Sequence, residues 1–488
     1  MKLRQATTCA NCERLAKRVA KLEARVLTLV SQLPDASARI AELEAENARL
    51  CEQLAKLRKN SSTSSKPPSS DIVKPRKPAL KGGKKRRRGG QPGHPRHLRP
   101  SFPPEIVDEF FPYTLDCCPD CGHTLRCSRN APRTIQQIEI EEMPIRIEEH
   151  QGLAYWCPHC RKVHYAPIPA SVVKAGLLGP RLTALVAFMK GVCHTSFSTI
   201  RKFLRDVVGV KISRGQLAKL IHKVSESLAA GYAELFERLP GEPVLNIDET
   251  GHKENGDKFW TWCFRAQLYT LFRIDKSRSS KVLVDTLGKE FNGVLGCDYF
   301  GAYRKYMREF GALVQFCMAH LIRDVKFLIT LADKKQQAYG KRVRRALRDL
   351  FGVIHRRGKM SEKGFQKALQ AAREKVMHAA TTRVPSGNHA QNLANRFREH
   401  GESYFRFITT PGIEPTNNLA EQAIRFVVID RRITQGTRSE AGRQWCERIW
   451  TVIATCAQQG RSAFDFLYAS IQAHFNETPV PSLLAQPP

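Results

Sequence analysis

Long apolar runs and a signal peptide are both missing from the 488-residue sequence. No stretch approaches the ~18 consecutive apolar residues that a membrane-spanning helix requires. The N-terminal residues MKLRQ are not followed by the apolar core of a signal peptide. Both absences predict a soluble, cytoplasmic protein, in which the 15 cysteines are expected to be reduced thiols or metal ligands instead of disulfides.

Acidic residues are also scarce. The chain has 46 Asp and Glu against 79 Lys and Arg, which gives a formal net charge of +33 and an isoelectric point near 9.9. Such an excess of positive charge repels itself unless a polyanion is the partner, so we expect nucleic acid, with an anionic membrane as the weaker alternative. A chain of this length exceeds what one hydrophobic core supports and predicts about three or four domains.

Three acidic residues occupy settings that only a few chemistries require. Asp248 ends the apolar run PVLNID at residues 243–248, and Asp298 ends a second run, GVLGCD, at 293–298. Glu421 lies in TNNLAEQAIR at 416–425, which is typical of the first turns of a helix. A single aspartate at a strand end is more often a turn former or a helix cap. Three carboxylates together, however, repel one another unless divalent metal holds them, and such a cluster can clamp the oxygens of a phosphodiester.

Several motifs resemble the transposases of the bacterial insertion sequence 66 family, nearly end to end and in the same order. Those around the three acids are DET at 248–250, DYFGAY at 298–303, CMAHLIR at 317–323 and NNLAEQAIR at 417–425. Upstream lie SSD at 69–71, after a Pro-Pro pair, and GGQPGH at 89–94. The resemblance implies a DNA transposase with a DDE-type catalytic domain of RNase H-like fold. Such a protein would act in the bacterial cytoplasm and associate with the nucleoid when bound to DNA.

The resemblance also implies the chemistry of the site. Asp248, Asp298 and Glu421 would hold a pair of Mg²⁺ (or Mn²⁺) ions for strand cleavage and for attack of a freed 3′-hydroxyl on target DNA. Three flanking residues are expected to orient the substrate phosphate or the Glu421 carboxylate: Asn417, Asn418 and Arg425. The partners would be double-stranded DNA of the element ends and the target, further copies of the chain in a homodimer or higher oligomer, and accessory proteins.

The hydrophobic pattern predicts an α/β core formed by residues 241–330 and 410–430, with a helical insertion at 331–409 and a C-terminal helical region at 431–488. A first strand is expected to end at Asp248, followed by strands at 259–264, 269–274, 294–298 and 312–317 and a crossover helix at 279–287. This order resembles the RNase H-like core, in which the first and fourth strands are neighbours, so Asp248 and Asp298 would lie together. Glu249 alternates to the other side of its strand and ranks below Asp248 as a ligand.

Residues 1–58 are predicted to be a dimerisation segment, because a heptad pattern runs from residue 12 to 58. Its d positions are mostly leucine and its a positions mostly branched, with Asn47 at one a position, which favours a parallel dimer in a fixed register. Pro34 interrupts the pattern and predicts two shorter helices with a kink or break between them. The alternative is a lone amphipathic helix packed on its own chain. Cys9 and Cys12 form a CxxC with no second half nearby, and they stay unassigned.

Residues 59–104 are a linker rich in Ser, Pro and basic residues, which cannot bury a core and is expected to be disordered. The stretch from Lys74 to Arg99 carries no acid at all. It is either a solvated tail or, given its place between a dimerising segment and a metal module, a contact for DNA phosphates. The densest basic run is Lys84, Lys85, Arg86, Arg87 and Arg88.

Residues 105–170 contain two CxxC pairs: Cys118 with Cys121, and Cys157 with Cys160. Between them, residues 134–140 and 146–148 alternate like strands. Four thiolates form a closed tetrahedral zinc site, so we expect one structural zinc ion in a zinc-ribbon-like domain, with reactive or spare cysteines as the alternative. The CxxH at residues 317–320 is more readily a structural pair than a metal half-site, because two ligands do not close a zinc site.

Residues 171–240 are predicted to be a helical domain that binds DNA. Residues 182–190 and 197–208 are amphipathic, and a third helix is expected to begin at Ser213 in the manner of a capping box. A helix, a short glycine-containing turn and a second helix suit helix-turn-helix DNA binding and an ordinary helical bundle equally well. The exposed candidates for base or phosphate contact are Arg214, Gln216 and Lys219.

Two other functions would use the same features. A dimeric zinc-containing DNA-binding regulator with a vestigial RNase H-like domain needs only the coil, the basic linker and the zinc module. A nuclease of the same fold would act on RNA–DNA hybrids or junctions. The presence of all three acids argues against the regulator. The coil and the several DNA-binding modules favour a transposase, which must pair two DNA ends, over the nuclease.

Overall fold

The computed structural model describes residues 10–60, 63, 103–107, 120, 121, 123, 145–157 and 162–484. The chain divides into two compact units, of which the first consists of residues 1–75, 166–200 and 213–488 and the second of residues 76–165 and 201–212. The basic run at 84–88, Cys9, Cys118, Cys160 and most of the predicted linker lie outside the described residues. The expectations that rest on them therefore stay predictions.

The N-terminal helix α1 (Ala10–Leu57) is a single helix of 48 residues that contains Pro34. The prediction of two shorter helices is therefore wrong. A proline removes one backbone hydrogen bond and crowds the carbonyl four residues earlier, whereas the helix makes its bonds along the whole length on either side of that point. The loss of one bond does not end a helix this long.

The apolar stripe of α1 is exposed in the single chain. Leu15 is 61% exposed, Leu22 56%, Ile40 57% and Leu50 46%. Among the described residues, the C-terminal end of the helix contacts the rest of its unit: Glu52 lies 3.1 Å from the His389 ring. A stripe of this kind, left open along most of a helix, needs a partner. This observation agrees with the coiled-coil prediction, and the parallel dimer stays a prediction.

Within the second unit, β1 (Ala154–Cys157) and β2 (Lys162–Tyr165) form an antiparallel pair, in which Cys157 is opposite Lys162. Residues 146–148, which alternate like a strand, do not form one. Ile147 is 84% exposed, so the alternation does not bury its apolar side chain.

The helical region of the first unit begins with α2 (Ala170–Ala175) and α3 (Pro180–Gly191). Residues 170–191 would be long and apolar enough to span a membrane by length and composition alone. The structure instead divides them at Gly176, whose φ of 76° ends α2. It buries Ala184, Val186 and Ala187 of α3 in the protein interior. Helix α3 therefore contributes to the core of its unit, whereas α2 buries no residue.

The helices expected from the amphipathic stretches and the capping box are present as α3, α4 (Phe197–Asp206) and α5 (Arg214–Ser227), and a further helix, α6 (Ala229–Arg238), follows them. The predicted capping box is confirmed: the Gln216 backbone N–H donates to Ser213 Oγ at 3.1 Å, and the Ser213 N–H donates to Gln216 Oε1 at 2.9 Å. Arg214, Gln216 and Lys219 are all exposed. Exposure is compatible with DNA contact, which stays a prediction.

A five-stranded sheet forms the centre of the first unit, in the order β5-β4-β3-β6-β7. Its elements in chain order are β3 (Val244–Glu254), β4 (Asp257–Arg265), β5 (Thr270–Asp275), α7 (Ser280–Leu287), β6 (Val294–Cys297), α8 (Gly301–Phe310) and β7 (Leu313–Phe316). The first three strands are an antiparallel meander, whereas β6 runs parallel to both β3 and β7. The predicted adjacency of the first and fourth strands is confirmed.

The end of β3 differs most from the prediction. Asp248 does not end its strand, because β3 continues to Glu254. The parallel pairing with β6 ends at Asn246, but the antiparallel pairing with β4 continues to its hairpin. Asp248 therefore lies just beyond the point where β3 stops pairing with β6, while it still pairs with β4.

Helix α9 (Met318–Thr330) ends the first part of the predicted core. The predicted insertion at 331–409 is helical and consists of α10 (Lys334–Ile354), α11 (Glu362–Thr381), α12 (Asn388–Tyr404) and α13 (Arg406–Thr409). The chain then returns to the sheet through α14 (Asn418–Thr434), which packs on β3 and β4. It ends with α15 (Glu440–Gln458) and α16 (Ala463–Phe475).

Helix α15 covers the open edge of the sheet at β5. The backbone N–H groups of Thr270, Phe272 and Ile274 donate to Thr455 Oγ1, Thr451 Oγ1 and Glu447 Oε1, at 3.2, 3.0 and 2.6 Å. Successive helical turns thus supply acceptors to alternate residues of the edge strand, whose donors would otherwise be unpaired. Burial raises the pKa of Glu447 to about 7.

Candidate active site

The three predicted acids come from three elements of the central sheet region. Asp248 lies on β3, Asp298 directly follows β6, and Glu421 lies in the first turn of α14. Burial raises the pKa of Asp248 well above its usual range, and the negative charges of Glu249, Asp298 and Glu421 raise it further. Charges shift a pKa in this way only when they are near, so these carboxylates share one region.

Each aspartate has one carboxylate oxygen fixed by the backbone. The Glu249 N–H donates to Asp248 Oδ1 at 2.9 Å, and the Phe300 N–H donates to Asp298 Oδ1, also at 2.9 Å. Burial and the charge of Glu249 raise the pKa of Asp298 to about 7, although the Phe300 hydrogen bond and Arg278 oppose the shift. Among the described residues, neither aspartate forms an ion pair. The backbone therefore holds the pair in place, and Arg278 compensates the charge of Asp298 only in part.

Glu249 lies beside this pair but is occupied. Its carboxylate accepts hydrogen bonds from Arg278 Nε at 3.0 Å, from Arg278 Nη2 at 2.7 Å and from the Tyr303 hydroxyl, and its side chain is 2% exposed. The Arg278 guanidinium lies between the rings of Trp260 and Phe300, 4.4 and 4.0 Å from their centroids. Glu249 is therefore compensated within the chain, in agreement with its lower rank as a ligand.

Asn417 connects the start of α14 to β3. Its Nδ2 donates to the Ile247 carbonyl at 2.7 Å, its Oδ1 accepts from Asn246 Nδ2 at 3.0 Å, and its backbone N–H donates to Cys317 Sγ at 3.1 Å. Asn417 is 2% exposed, and its predicted role in orienting the substrate phosphate or the Glu421 carboxylate stays a prediction. Asn417 holds the helix that carries Glu421. Asn418 and Arg425, by contrast, are exposed.

Glu421 faces two side chains of α9. Its Oε2 lies 3.4 Å from Arg323 Nη2, and its Oε1 lies 3.5 Å from His320 Nδ1. Arg323 also contacts His320 Nε2, at 3.2 Å. Burial lowers the pKa of His320 and raises that of Cys317. The C-x-x-H-x-x-R spacing places Cys317, His320 and Arg323 about one turn apart on one face at the start of α9. From the sequence, only Cys317 and His320 were predicted to act together.

Cys317, His320 and Glu421 have donor atoms within 4.8 Å of one another and form a candidate metal site. The contact between Arg323 and His320 Nε2 bears on this site. A histidine that binds metal through Nδ1 carries its proton on Nε2 and donates it to an acceptor, whereas a guanidinium is itself a donor. The structural role predicted for Cys317 and His320 therefore agrees better with these contacts.

Asp324 was not predicted from the sequence. Its charge raises the pKa of Asp298, and Arg396 Nη1 of α12 donates to its Oδ2 at 2.7 Å. Nothing in the spacing of the motifs singled it out, because its effect depends on how α9 packs against the sheet. The predicted zinc ligands are represented by Cys121, which is exposed, and by the backbone of Cys157 at the end of β1.

Comparison with known protein families decides what this arrangement belongs to. The family model described as "Transposase IS66 family" matches residues 175–444, more than half of the chain. The chain belongs to the IS66 transposase family. The match includes the whole sheet, the helical insertion and α14, and therefore all three acids. A second model, "Family of unknown function (DUF6444)", matches residues 10–100, which contain α1. No curated protein matches the chain.

Membership in the IS66 transposase family gives the site a context. It implies transposition, with DNA binding and with cleavage and transfer of DNA strands, and it suggests the use of divalent metal. The resemblance found in the sequence motifs is thereby confirmed at the level of the family.

Proposed function

We propose that the protein is a DNA transposase that cleaves and joins strands at insertion-sequence ends by a DDE mechanism, with Asp248, Asp298 and Glu421 as the metal-binding carboxylates. The observation that carries this proposal is the placement of the three acids on adjoining elements: Asp248 on β3, Asp298 after its parallel neighbour β6, and Glu421 on α14, which packs on β3. Burial and the charges of Glu249, Asp298 and Glu421 raise the pKa of Asp248, as this placement leads one to expect. Buried carboxylates that repel one another are costly unless a cation compensates them.

The sheet supports an RNase H-like catalytic domain. Three antiparallel strands followed by two parallel ones, in the order β5-β4-β3-β6-β7, give the first and fourth strands adjacent positions. The neighbouring positions of Asp248 on β3 and Asp298 after β6 follow from that adjacency. The helix α14, which carries Glu421, packs against β3.

The donor set fits Mg²⁺ or Mn²⁺. Carboxylate oxygens are the ligands that hard divalent cations prefer, and no ion pair of the described chain compensates Asp248 or Asp298. When bound at such a site, a pair of these ions activates the attacking oxygen and stabilises the leaving oxygen of a phosphodiester. The chain's own contribution is positioning: backbone N–H groups fix one oxygen of each aspartate, and Asn417 fixes the helix of Glu421.

Exposed polar and basic residues near Glu421 would receive the DNA. Asn418 and Arg425 are exposed on α14 and can meet a substrate phosphate without first breaking contacts in the core. Binding elsewhere would depend on the basic run at residues 84–88, on Arg214 and Lys219 of α5, and on a zinc-held module at 105–170. A dimer through α1 would bring two such DNA-binding sets together, as the pairing of two element ends requires.

The test is Mg²⁺-dependent nicking and strand transfer on DNA that carries the element's ends. Alanine at Asp248, Asp298 or Glu421 is expected to lower both activities by at least ~100-fold while DNA binding stays nearly unchanged, because catalysis of phosphoryl transfer depends on charge placement and affinity depends on basic surface elsewhere. Asp349→Ala, at an exposed position of α10, is the matched control. Full activity of Glu421→Ala would contradict the assignment. Binding without any metal-dependent cleavage by the unchanged protein would favour the regulator, and cleavage without strand transfer would favour the nuclease.

A further inference from the structure

Two arginine–carboxylate pairs border the candidate active site, and they differ in tightness. Arg278 holds Glu249 through bonds of 2.7 and 3.0 Å, and Tyr303 adds a further hydrogen bond to the same carboxylate. Arg323 approaches Glu421 only to 3.4 Å. Charge-assisted hydrogen bonds between such groups are typically ~2.7–2.9 Å long. The Arg278–Glu249 pair is therefore tightly hydrogen-bonded, whereas the Arg323–Glu421 pair is only loosely associated.

The other oxygen of Glu421 is also incompletely satisfied. Glu421 Oε1 and His320 Nδ1 are both buried from solvent and neither has a hydrogen-bond partner, although they lie 3.5 Å apart. His320 Nε2 faces Arg323 Nη1 at 3.2 Å. Because a guanidinium can only donate, Nε2 is the acceptor in this contact and the imidazole proton is on Nδ1, directed toward Glu421. Both oxygens of Glu421 therefore face donors at distances too long for strong bonds.

We propose that Arg323 is a positioning residue that takes the place of a divalent cation at Glu421, and that metal binding displaces it. With the guanidinium beside it, the third carboxylate is compensated while the metal is absent, and the weak contact lets a divalent ion compete. His320 directs the guanidinium toward Glu421 through its Nε2. By the same reasoning, the short hydrogen bonds from Arg278 and Tyr303 keep Glu249 from acting as a metal ligand.

This inference rests on the proposed role of Glu421 as a metal ligand, and it makes a prediction opposite in sign to that of a structural role. Removing Arg323 removes a competitor, so the variant Arg323→Gln should bind divalent metal more tightly than the unchanged protein, although it is less stable without metal. An arginine with only a structural role would, on removal, weaken metal binding or leave it unchanged.

The experiment measures Mn²⁺ binding to the full-length protein without DNA, by the electron paramagnetic resonance signal of the free ion, and thermal unfolding with and without Mn²⁺. Arg323→Gln is expected to tighten Mn²⁺ binding by about two- to fivefold, the usual range for losing a partly exposed ion-pair partner. It should also gain more in melting temperature from Mn²⁺ than the unchanged protein does. Arg323→Lys keeps the competing charge and should retain most of the weaker affinity.

The matched control is Arg348→Gln, which removes a positive charge from an exposed position of α10 and should leave Mn²⁺ affinity unchanged. If Arg323→Gln does not fold, Arg323→Met serves, since it keeps the aliphatic stem. Unchanged or weakened Mn²⁺ binding by a folded Arg323 variant would overturn the proposal. The variant Glu421→Ala distinguishes the ligand role of Glu421 from the competing role of Arg323. If this variant binds Mn²⁺ as the unchanged protein does, the ligand role of Glu421 is wrong. If it weakens binding while Arg323→Gln does not strengthen it, only the role of Arg323 fails.

Discussion

Replacing Asp298 by asparagine should make the metal-free protein more stable while it removes activity. Asparagine has nearly the same shape, and its Oδ1 can still accept the hydrogen bond that the Phe300 N–H donates to Asp298. The substitution removes only the charge. In the native protein that charge is disfavoured by burial and by the nearby Glu249 and Asp324 carboxylates. A destabilised charge of this kind is retained when function requires it.

The size of the effect follows from the pKa. Asp298 titrates near 7 in the folded protein, against an ordinary value of 3.8. Between these values the folded state binds more protons than the unfolded state, so the free energy of unfolding falls as the pH rises from about 4 to about 7 and is constant above that range. Roughly three pH units correspond to at most ~4 kcal/mol. Because Asp298 is only half-buried and solvent screens part of the interaction, we expect about 2 kcal/mol.

The assay is denaturant unfolding of both proteins, without added Mg²⁺, at several pH values that bracket this range. Tryptophan fluorescence suits it, because all but one of the five tryptophans lie in the central sheet or on α15: Trp260, Trp262, Trp445 and Trp450. The two proteins should have equal stability at the acidic end and diverge as the pH approaches 7. Added Mg²⁺ should reduce the difference. Asp349→Asn, on the exposed face of α10, should show no such divergence.

An Asp298→Asn variant that is no more stable than the unchanged protein at pH above about 7 would refute the reasoning. It would mean that the aspartate charge is compensated within the chain and that no cation is needed there. A pH-independent gain would refute it in another way, because it would point to packing and not to charge.

Two further predictions concern the N-terminal half. Deleting residues 1–58 should convert a dimer to a monomer in sedimentation analysis, and Asn47→Ile should raise helix stability while admitting larger oligomers; a dimer of unchanged affinity after the deletion would exclude α1 as the dimerising element. Replacing Cys118 and Cys121 by serine should remove about one zinc per chain from the purified protein and unfold residues 105–170, since binding energy in such modules is folding energy. Unchanged zinc content by metal analysis would exclude these thiols as ligands.

The order of elements in the central region could be predicted from the sequence because it depends on local periodicity. Apolar runs of four to six residues marked β5, β6 and β7, and the capping box marked the start of α5. The length of β3 could not be predicted, because its second half pairs only with β4, after the pairing with β6 has ended. Where a strand loses one partner is a property of the sheet and leaves no periodic signal.

The contacts that compensate the charges of the candidate active site could not be predicted from the sequence for the same reason. Arg278 was unremarked in the sequence, yet it closes off Glu249. Asn417 flanks Glu421 and was predicted to orient the substrate phosphate or the Glu421 carboxylate, but its buried hydrogen bond to the Ile247 carbonyl could not be predicted. A motif indicates which residue types are needed together. It does not indicate which of them face inward, because that depends on partners far away in the chain.

Glu421 illustrates how such distant partners set the site. The long helical insertion separates α14 from the strands, and Asn417 and Cys317 are 100 residues apart in sequence, yet the two are joined directly by a hydrogen bond. Asn417 also bonds to Asn246, 171 residues away, and the Asn246 amide has room only because residue 296 is glycine: a Cβ there would lie 2.5 Å from Asn246 Nδ2. These hydrogen bonds fix the start of α14 directly to β3 and to the start of α9. They do not run through the helices between α9 and α14. The insertion can therefore change in length or sequence without moving Glu421, provided that Asn246, Gly296 and Asn417 are kept.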